Sequence, residues 1–129
     1  MIELANPRAG EKMVDLGSGD GRILIAFGKK GAESHGYELD PILIEKSQNE
    51  IIKENLVNKV FIHKENFWNI NLSPFDIITM YPMPDIMQDL EKELQKEISP
   101  ATRVLLNYYP FTTIRPTTAK NNIYLYQFT

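Results

Sequence analysis

Short apolar runs alternate with helical-period segments along the whole chain, and this alternation constrains the fold more than any other feature. The runs MVDL (residues 13–16) and TRVLLN (residues 102–107) are typical of strands that are buried on both faces of a sheet. Strands that alternate with helices predict an α/β fold. We expect a mostly parallel, twisted sheet with helices on both faces, joined by right-handed crossovers.

The element boundaries follow from the apolar spacing and from local capping signals. Asp40 is a favoured N-cap, and Pro41 suits the first helical position, where its missing N–H is not needed. We interpret TTIRPTTAKNN (residues 112–122) as a polar loop and 1–129 as one domain. The predicted strands lie at 13–16, 34–38, 60–63, 75–80, 102–107 and 122–128. Two of the predicted helices lie at 21–29 and 84–97. The third begins at Asp40, and the residues that follow at helical spacing are Leu43, Ile44, Ser47, Ile51 and Asn55.

Composition excludes several classes of protein. The chain has no cysteine, which excludes a disulfide scaffold, a thiolate metal site and a cysteine nucleophile. Its net charge of -3 argues against binding to nucleic acid. His35 and His63 have no partners at ligand spacing, so no metal site is predicted. Without an apolar run long enough to span a membrane or a signal pattern, the predicted location is cytoplasmic.

Three glycines at alternate positions, Gly17, Gly19 and Gly21, follow the first predicted strand, and Asp15 stands just before them. Ligands of open α/β sheets bind beyond the carboxyl ends of the strands, so this turn lies at the expected binding crevice. Glycine removes the Cβ that would hold a ligand away and permits positive φ. The helix that follows presents free N–H groups at its start.

An acid and an amide follow the next two strands. Glu38 lies about twenty residues past the glycines, where a carboxylate typically accepts hydrogen bonds from ribose hydroxyls. In KENFWN, Asn66 is a candidate to bind an adenine edge and Phe67 to pack on the ring; the alternative is a loop side chain and a core aromatic. The glycines match neither a dinucleotide fingerprint nor an NTPase phosphate loop. The predicted ligand is therefore one nucleoside with a short tail.

The segments VDLGSGDGR, GYELD and ENFWN resemble the S-adenosylmethionine sites of class I methyltransferases. The segments FDIITMYPMPDIMQDLEKEL, TRVLLNYYPF and NIYLYQF resemble a subgroup of small protein-lysine methyltransferases from archaea and mitochondria. The resemblance implies a Rossmann-like fold with an antiparallel C-terminal strand, S-adenosyl-L-methionine as cofactor, and lysine side chains of a protein as acceptors. Relatives usually carry a helix and a short flap before the first strand. Here MIELANPRAGEK precedes that strand, and only its MIELA resembles the last turn or two of the helix.

The same resemblance assigns site residues. Tyr81, at the end of the fourth strand, is the candidate catalytic residue that aims the acceptor amine, with Asn107, Tyr108 and Tyr109 behind it. No metal and no general base are expected. The implied cofactor-binding residues are Asp15, Gly17, Ser18, Gly19, Gly21, Glu38, Leu39, Asn66, Phe67 and Met80.

Other functions stay open from the sequence alone. MYPMP lies at the strand end where methyltransferases of nucleic-acid bases carry an acid or amide before two prolines, but here no Asn or Asp precedes the proline. The alternatives are therefore a nucleic-acid or small-molecule methyltransferase, or a cofactor-binding domain with little activity of its own. We expect a monomer that acts on protein, with no nucleic-acid partner and no membrane segment.

Overall fold

The computed structural model describes residues 1–82 and 84–127. Within them the strands form a single mixed sheet with the spatial order β3-β2-β1-β4-β5-β7-β6. The strands are β1 (Lys12–Leu16), β2 (Glu33–Tyr37), β3 (Val60–His63), β4 (Ile77–Met80), β5 (Arg103–Asn107), β6 (Thr118–Lys120) and β7 (Ile123–Tyr126). The helices are α1 (Ile2–Ala5), α2 (Arg22–Lys29), α3 (Pro41–Lys53) and α4 (Met87–Glu97), with 3₁₀ turns at Phe67–Asn69 and Pro84–Ile86.

Strand pairing places the binding crevice. β1 pairs in parallel with β2 on one side and with β4 on the other, and β2–β3 and β4–β5 are also parallel. β7 runs antiparallel to β5 and to β6. The first half of the chain thus adds strands on one side of β1, and the second half adds them on the other side. The strand order reverses between β1 and β4, and ligands of such sheets bind at this switch point, beyond the carboxyl ends of the strands.

The central strands divide the core into two layers. Val14, Leu16 and Ile78 pack with α4 on one face, whereas Met13 and Ile77 pack with α2 on the other. All four residues of β4 are buried, which is why its sequence reads as a continuous apolar run. The predicted parallel sheet with helices on both faces and an antiparallel C-terminal strand is confirmed.

The polar segment 112–122 is not entirely loop, so that prediction was wrong. Its residues Thr118–Lys120 form β6, whose three side chains are exposed, because the strand is held by backbone pairing with β7 rather than by burial. Asn121 and Asn122 connect the two strands with φ of 52° and 64°. Positive φ at both positions of a two-residue hairpin loop is typical of a type I′ turn, which asparagine tolerates.

The other boundaries differ by a few residues. The predicted helix at 84–97 begins as the 3₁₀ turn and becomes α-helical only at Met87. The last strand, predicted at 122–128, covers Ile123–Tyr126, and its predicted end at Phe128 lies outside the described residues. Asp40 caps α3 as predicted, since its Oδ1 accepts a hydrogen bond from the N–H of Ile42 at 2.9 Å. No described helix has the length and hydropathy needed to cross a membrane.

The two histidines interact with each other across β2 and β3. His35 Nδ1 lies 2.9 Å from His63 Nε2, and His35 Nε2 lies 2.8 Å from Glu33 Oε2. Burial lowers the pKa of His63, and the neighbouring His35 adds to this effect. No group of three metal-ligating side chains occurs in the described part of the chain. The pair therefore serves as a hydrogen-bonded contact between two strands.

Candidate functional site

The glycine turn after β1 is held to the end of β2 by backbone hydrogen bonds. The N–H groups of Gly17 and Ser18 both donate to the carbonyl of Tyr37, at 2.9 and 3.1 Å. Gly17 and Gly19 have φ of 81° and 59°, and a Cβ at either position would meet no heavy atom within 4 Å. The turn therefore faces open space, which a ligand can enter to touch the backbone.

Ser47 of α3 fixes the other side of this turn. Its buried hydroxyl lies 3.0 Å from the carbonyl of Gly19 and 2.8 Å from that of Leu43. A Cβ on Gly21, which has φ of 84°, would lie only 3.0 Å from Ser47 Oγ, so this position needs glycine for both reasons. Sequence reasoning did not place Ser47 at the site. The sequence signal that could have found it is a serine at a position of α3 whose spacing predicts burial.

Glu38 joins the glycine turn to the start of α3. Its Oε1 accepts from the N–H of Gly19 at 2.8 Å, and its Oε2 accepts from the N–H groups of Leu39 and Asp40 at 3.0 and 3.1 Å. An ionised carboxylate has about four acceptor positions, of which three are used here. The remaining position, on Oε1, is available to a ligand hydroxyl next to the turn.

Asp15 is a buried carboxylate at the wall of the site. Its Oδ1 accepts a hydrogen bond from the hydroxyl of Thr79 on β4 at 2.8 Å. Burial raises the pKa of Asp15 to about 7; the Thr79 hydrogen bond opposes this shift, and the negative charge of Glu38 adds to it. Asp15 thus changes charge near neutral pH, and a cation placed beside it would favour the ionised form.

A cavity of about 660 Å³ opens beyond the carboxyl ends of β1 and β4. This volume lies within the range of about 300–1,000 Å³ that is usual for small-molecule sites. The predicted residues that line it are Asp15, Gly17, Ser18, Gly19, Tyr81 and Asn107. The residues not predicted include apolar Ile2, Ile23, Ala26, Phe27 and Ile123 and the cations Arg22 and Lys46. The cavity therefore combines an apolar wall from α1, α2 and β7 with a polar wall from the turn.

Ser18 provides a hydroxyl that the fold does not use. The side chain is 6% exposed, and its Oγ has no hydrogen-bond partner within the residues described. Gly36 on β2 makes room for it, because a Cβ there would lie 2.7 Å from Ser18 Oγ and 2.4 Å from Leu24 Cδ1. A buried hydroxyl without a partner costs free energy unless a ligand satisfies it.

Not every predicted residue lies at the cavity. The predicted residues outside its lining include Gly21, Glu38, Leu39 and Met80. Leu39 is 56% exposed, and the side chain of Met80 is buried in the core layer that contains α4. Glu38 touches the turn from the outside, so a ligand that reaches both must extend from the cavity along the carboxyl end of β2.

Asn66 and Phe67 lie beyond β3 and are also outside the cavity lining. The Oδ1 of Asn66 accepts a hydrogen bond from the N–H of Trp68 at 3.0 Å and caps a 3₁₀ turn. Phe67 is half-buried and packs against the core. These contacts match the alternative given above, in which Asn66 is a loop side chain and Phe67 a core aromatic. Their adenine-binding roles stay predictions.

The site has features that suit the predicted ligand, a nucleoside with a short tail. An open glycine turn, an unused hydroxyl and two carboxylates lie along one edge of the sheet. Comparison with known proteins identifies the family: residues 15–118 match the sequence model of the ANTKMT methyltransferase domain. The chain belongs to this family.

Two curated relatives show how far the sequence similarity extends. An adenine nucleotide translocase lysine N-methyltransferase from Mus musculus is 33% identical over 117 residues, which are 90% of this chain and 51% of that protein. A protein-lysine N-methyltransferase from Saccharolobus islandicus is 31% identical over 107 residues, 81% of this chain and 66% of that protein. The chain thus spans about half the length of the mouse protein and about two thirds of the archaeal one.

One solved structure extends the comparison to three dimensions. It is an RNA methyltransferase from Salinibacter ruber in complex with S-adenosyl-L-homocysteine. It superposes with a TM-score of 0.88 at 28% identity, covering 98% of this chain and 85% of that one. The predictions of a class I methyltransferase fold and of a family with S-adenosylmethionine as cofactor are confirmed. The residues suited to hold that cofactor are Gly17, Gly19, Ser18, Asp15 and Glu38.

Proposed function

We propose that the chain binds S-adenosyl-L-methionine and transfers its methyl group to lysine side chains of a protein substrate. The observation that carries the proposal is the glycine turn, fixed by Glu38 and open to a cavity that also contains Tyr81 and Asn107. Similarity to named lysine methyltransferases of a mouse and an archaeon supports the choice of acceptor. The predicted monomeric state and cytoplasmic location stay predictions.

Different residues of the chain suit different parts of the cofactor. S-Adenosylmethionine supplies an electrophilic methyl group bound to a sulfonium sulfur. The leaving group is a neutral thioether, so its departure needs little acid assistance. Gly17 and Gly19 let the backbone approach the ligand closely, and the free acceptor position of Glu38 suits a ribose hydroxyl. Ionised Asp15 balances positive charge in the cavity.

The ammonium group of the acceptor lysine must release a proton to solvent before its nitrogen can attack the methyl group. Because the pKa of a free lysine is about 10.4, the neutral amine costs about 4–5 kcal/mol at pH 7. Apolar Ile23, Ala26 and Ile123 form one wall of the cavity. An amine that packs against this wall is partly desolvated, which favours its neutral form. The Tyr81 hydroxyl and the Asn107 carbonyl oxygen are acceptors that can orient the amine N–H groups, and orientation is the main contribution of such a site.

RNA is the second candidate acceptor. The structural similarity to the Salinibacter ruber RNA methyltransferase covers nearly the whole chain and supports this reading. The net charge of -3 opposes it, because binding to nucleic acid relies on neutralising phosphates with basic side chains. The segment after β4 also lacks the Asn or Asp before proline that is typical of enzymes that methylate bases.

A transfer assay with both acceptor classes tests the proposal. The chain is incubated with methyl-labelled S-adenosylmethionine and either a pool of lysine-containing proteins or total RNA, and mass spectrometry locates the label. We expect label on lysine Nε, and we expect Glu38→Ala to reduce it at limiting cofactor. Label on RNA alone would replace lysine by RNA as acceptor. Binding of S-adenosylhomocysteine without transfer to either pool would identify a cofactor-binding domain and refute the proposal.

A further inference from the structure

Three tyrosine rings form a cluster beside the cavity. The centroids of Tyr81 and Tyr108 are 6.4 Å apart with nearly parallel rings, at an interplanar angle of 16°. Tyr109 stands edge-on to both, at 6.1 Å and 86° from Tyr81 and at 4.9 Å and 71° from Tyr108. Because Tyr81 also lines the cavity, this tyrosine cluster adjoins the place where the acceptor enters.

The backbone after β5 is bent to make this cluster possible. Tyr108 has φ of 74°, and the N–H of Tyr109 donates to the carbonyl of Asn107 at 2.9 Å, which defines a γ-turn of the rare type with positive φ. The N–H of Tyr108 donates to the carbonyl of Asn122 at 2.7 Å. In an extended strand, neighbouring side chains point to opposite faces, so the turn is what brings the two rings together.

Core packing does not account for the rings of Tyr81 and Tyr108. Tyr81 and Tyr108 are 51% and 52% exposed, so about half of each side chain faces solvent. Positive φ in a bulky residue costs free energy and is typical of ligand sites, where the surrounding structure enforces it. No two of the three centroids are more than 6.4 Å apart. A cation on the exposed side of the cluster can therefore lie within the roughly 6 Å reach of a cation–π contact from all three rings.

We propose that Tyr81, Tyr108 and Tyr109 form a cation–π site that binds the methylated ammonium group of the acceptor lysine. This inference rests on the proposed function, because it names the product-binding part of the same site. A methylated ammonium is larger and less hydrated than that of lysine, and aromatic groups bind quaternary ammonium ions for this reason. The site therefore favours lysine that already carries methyl groups over unmodified lysine.

A binding experiment that needs no turnover tests the site. The chain is labelled on its tyrosine rings and titrated, with NMR detection, with acetyl-trimethyllysine amide and with its uncharged isostere, in which carbon replaces the quaternary nitrogen. We expect the cation to bind about tenfold more tightly than the isostere, within the roughly 2- to 30-fold range of such contacts, and to shift the ring signals of Tyr81 and Tyr108. Equal binding of the two probes would refute the proposal.

Two variants at position 108 separate the ring from the turn. Tyr108→Phe retains an aromatic face, so the preference for the cation should persist. Tyr108→Asn removes the ring but tolerates positive φ, so the variant should unfold as cooperatively as the parent while the preference disappears. A preference that survives Tyr108→Asn would contradict the role of the cluster. Absence of methyl transfer to lysine would refute the proposed function independently, because the titration involves no transfer.

Discussion

The stability of Asp15→Asn relative to the wild type is expected to increase as pH rises from 5 to 8. Burial raises the pKa of Asp15 from its ordinary value of 3.8 to about 7. Between these two values the folded protein holds a proton that the unfolded chain lacks, so the free energy of unfolding falls as pH rises. Asparagine keeps an acceptor for the Thr79 hydroxyl and cannot ionise.

The magnitude follows from the size of the shift. A difference of about three pKa units corresponds to about 4 kcal/mol, at 1.36 kcal/mol per unit. About 2–3 kcal/mol of this falls between pH 5 and pH 8, because at pH 5 the unfolded carboxyl is already largely ionised. A buried amide N–H without a partner would lower the stability of the variant by about 1–3 kcal/mol at every pH. The trend with pH is therefore the test, not the absolute difference.

Urea unfolding of both proteins at pH 5, 6, 7 and 8 measures this trend. The variant-minus-wild-type difference in unfolding free energy should rise steadily over the series. Asp20→Asn is the matched control, because Asp20 lies in the same turn but contacts Arg22 at the surface. That variant should show no comparable trend. A flat difference for Asp15→Asn would mean that the buried carboxyl does not titrate as the structure requires.

Three further changes probe the cap, the turn and the acceptor. Asp40→Ala should cost about 1 kcal/mol in urea unfolding by removing the cap of α3, and no loss would contradict the capping role. Gly36→Ala should cost about 1–3 kcal/mol, because the new Cβ would lie 2.4 Å from Leu24 Cδ1 and 2.7 Å from Ser18 Oγ; an undiminished cost in a background with both Leu24→Ala and Ser18→Gly would argue against these clashes. Tyr81→Phe should lower kcat about two- to tenfold by removing one hydrogen bond, with S-adenosylhomocysteine affinity retained; wild-type turnover would remove its hydroxyl from the mechanism.

The central elements of the fold could be predicted because burial and local signals agree there. β1 and β4 are buried on both faces and read as apolar runs, and Asp40 begins α3 with the side-chain bond that its residue type favours. β6 could not be predicted from burial, because its side chains are exposed and only backbone pairing with β7 makes it a strand. The Asn121-Asn122 pair was the signal for its hairpin.

Site residues that come directly after a strand could be predicted from the sequence. Site residues that reach the cavity through tertiary packing could not. The positions of the glycine turn and of Glu38 follow from their order after β1 and β2. Ile2 and Ile123 reach the cavity only through tertiary packing, and no local pattern marks them. The γ-turn at Tyr108 is likewise not encoded by a glycine or an asparagine at that position, so the convergence of its ring with Tyr81 was not foreseeable.

Calorimetric titration with S-adenosylhomocysteine, on the wild type and on Glu38→Ala, tests the central claim most directly. We expect micromolar binding to the wild type and at least tenfold weaker binding to the variant, about 1.4 kcal/mol or more. Glu33→Ala is the matched control, because Glu33 lies at the opposite end of β2 and contacts His35 and Lys12; it should bind like the wild type. No binding to folded wild type, or equal binding to Glu38→Ala, would contradict the assignment of this turn as the cofactor site.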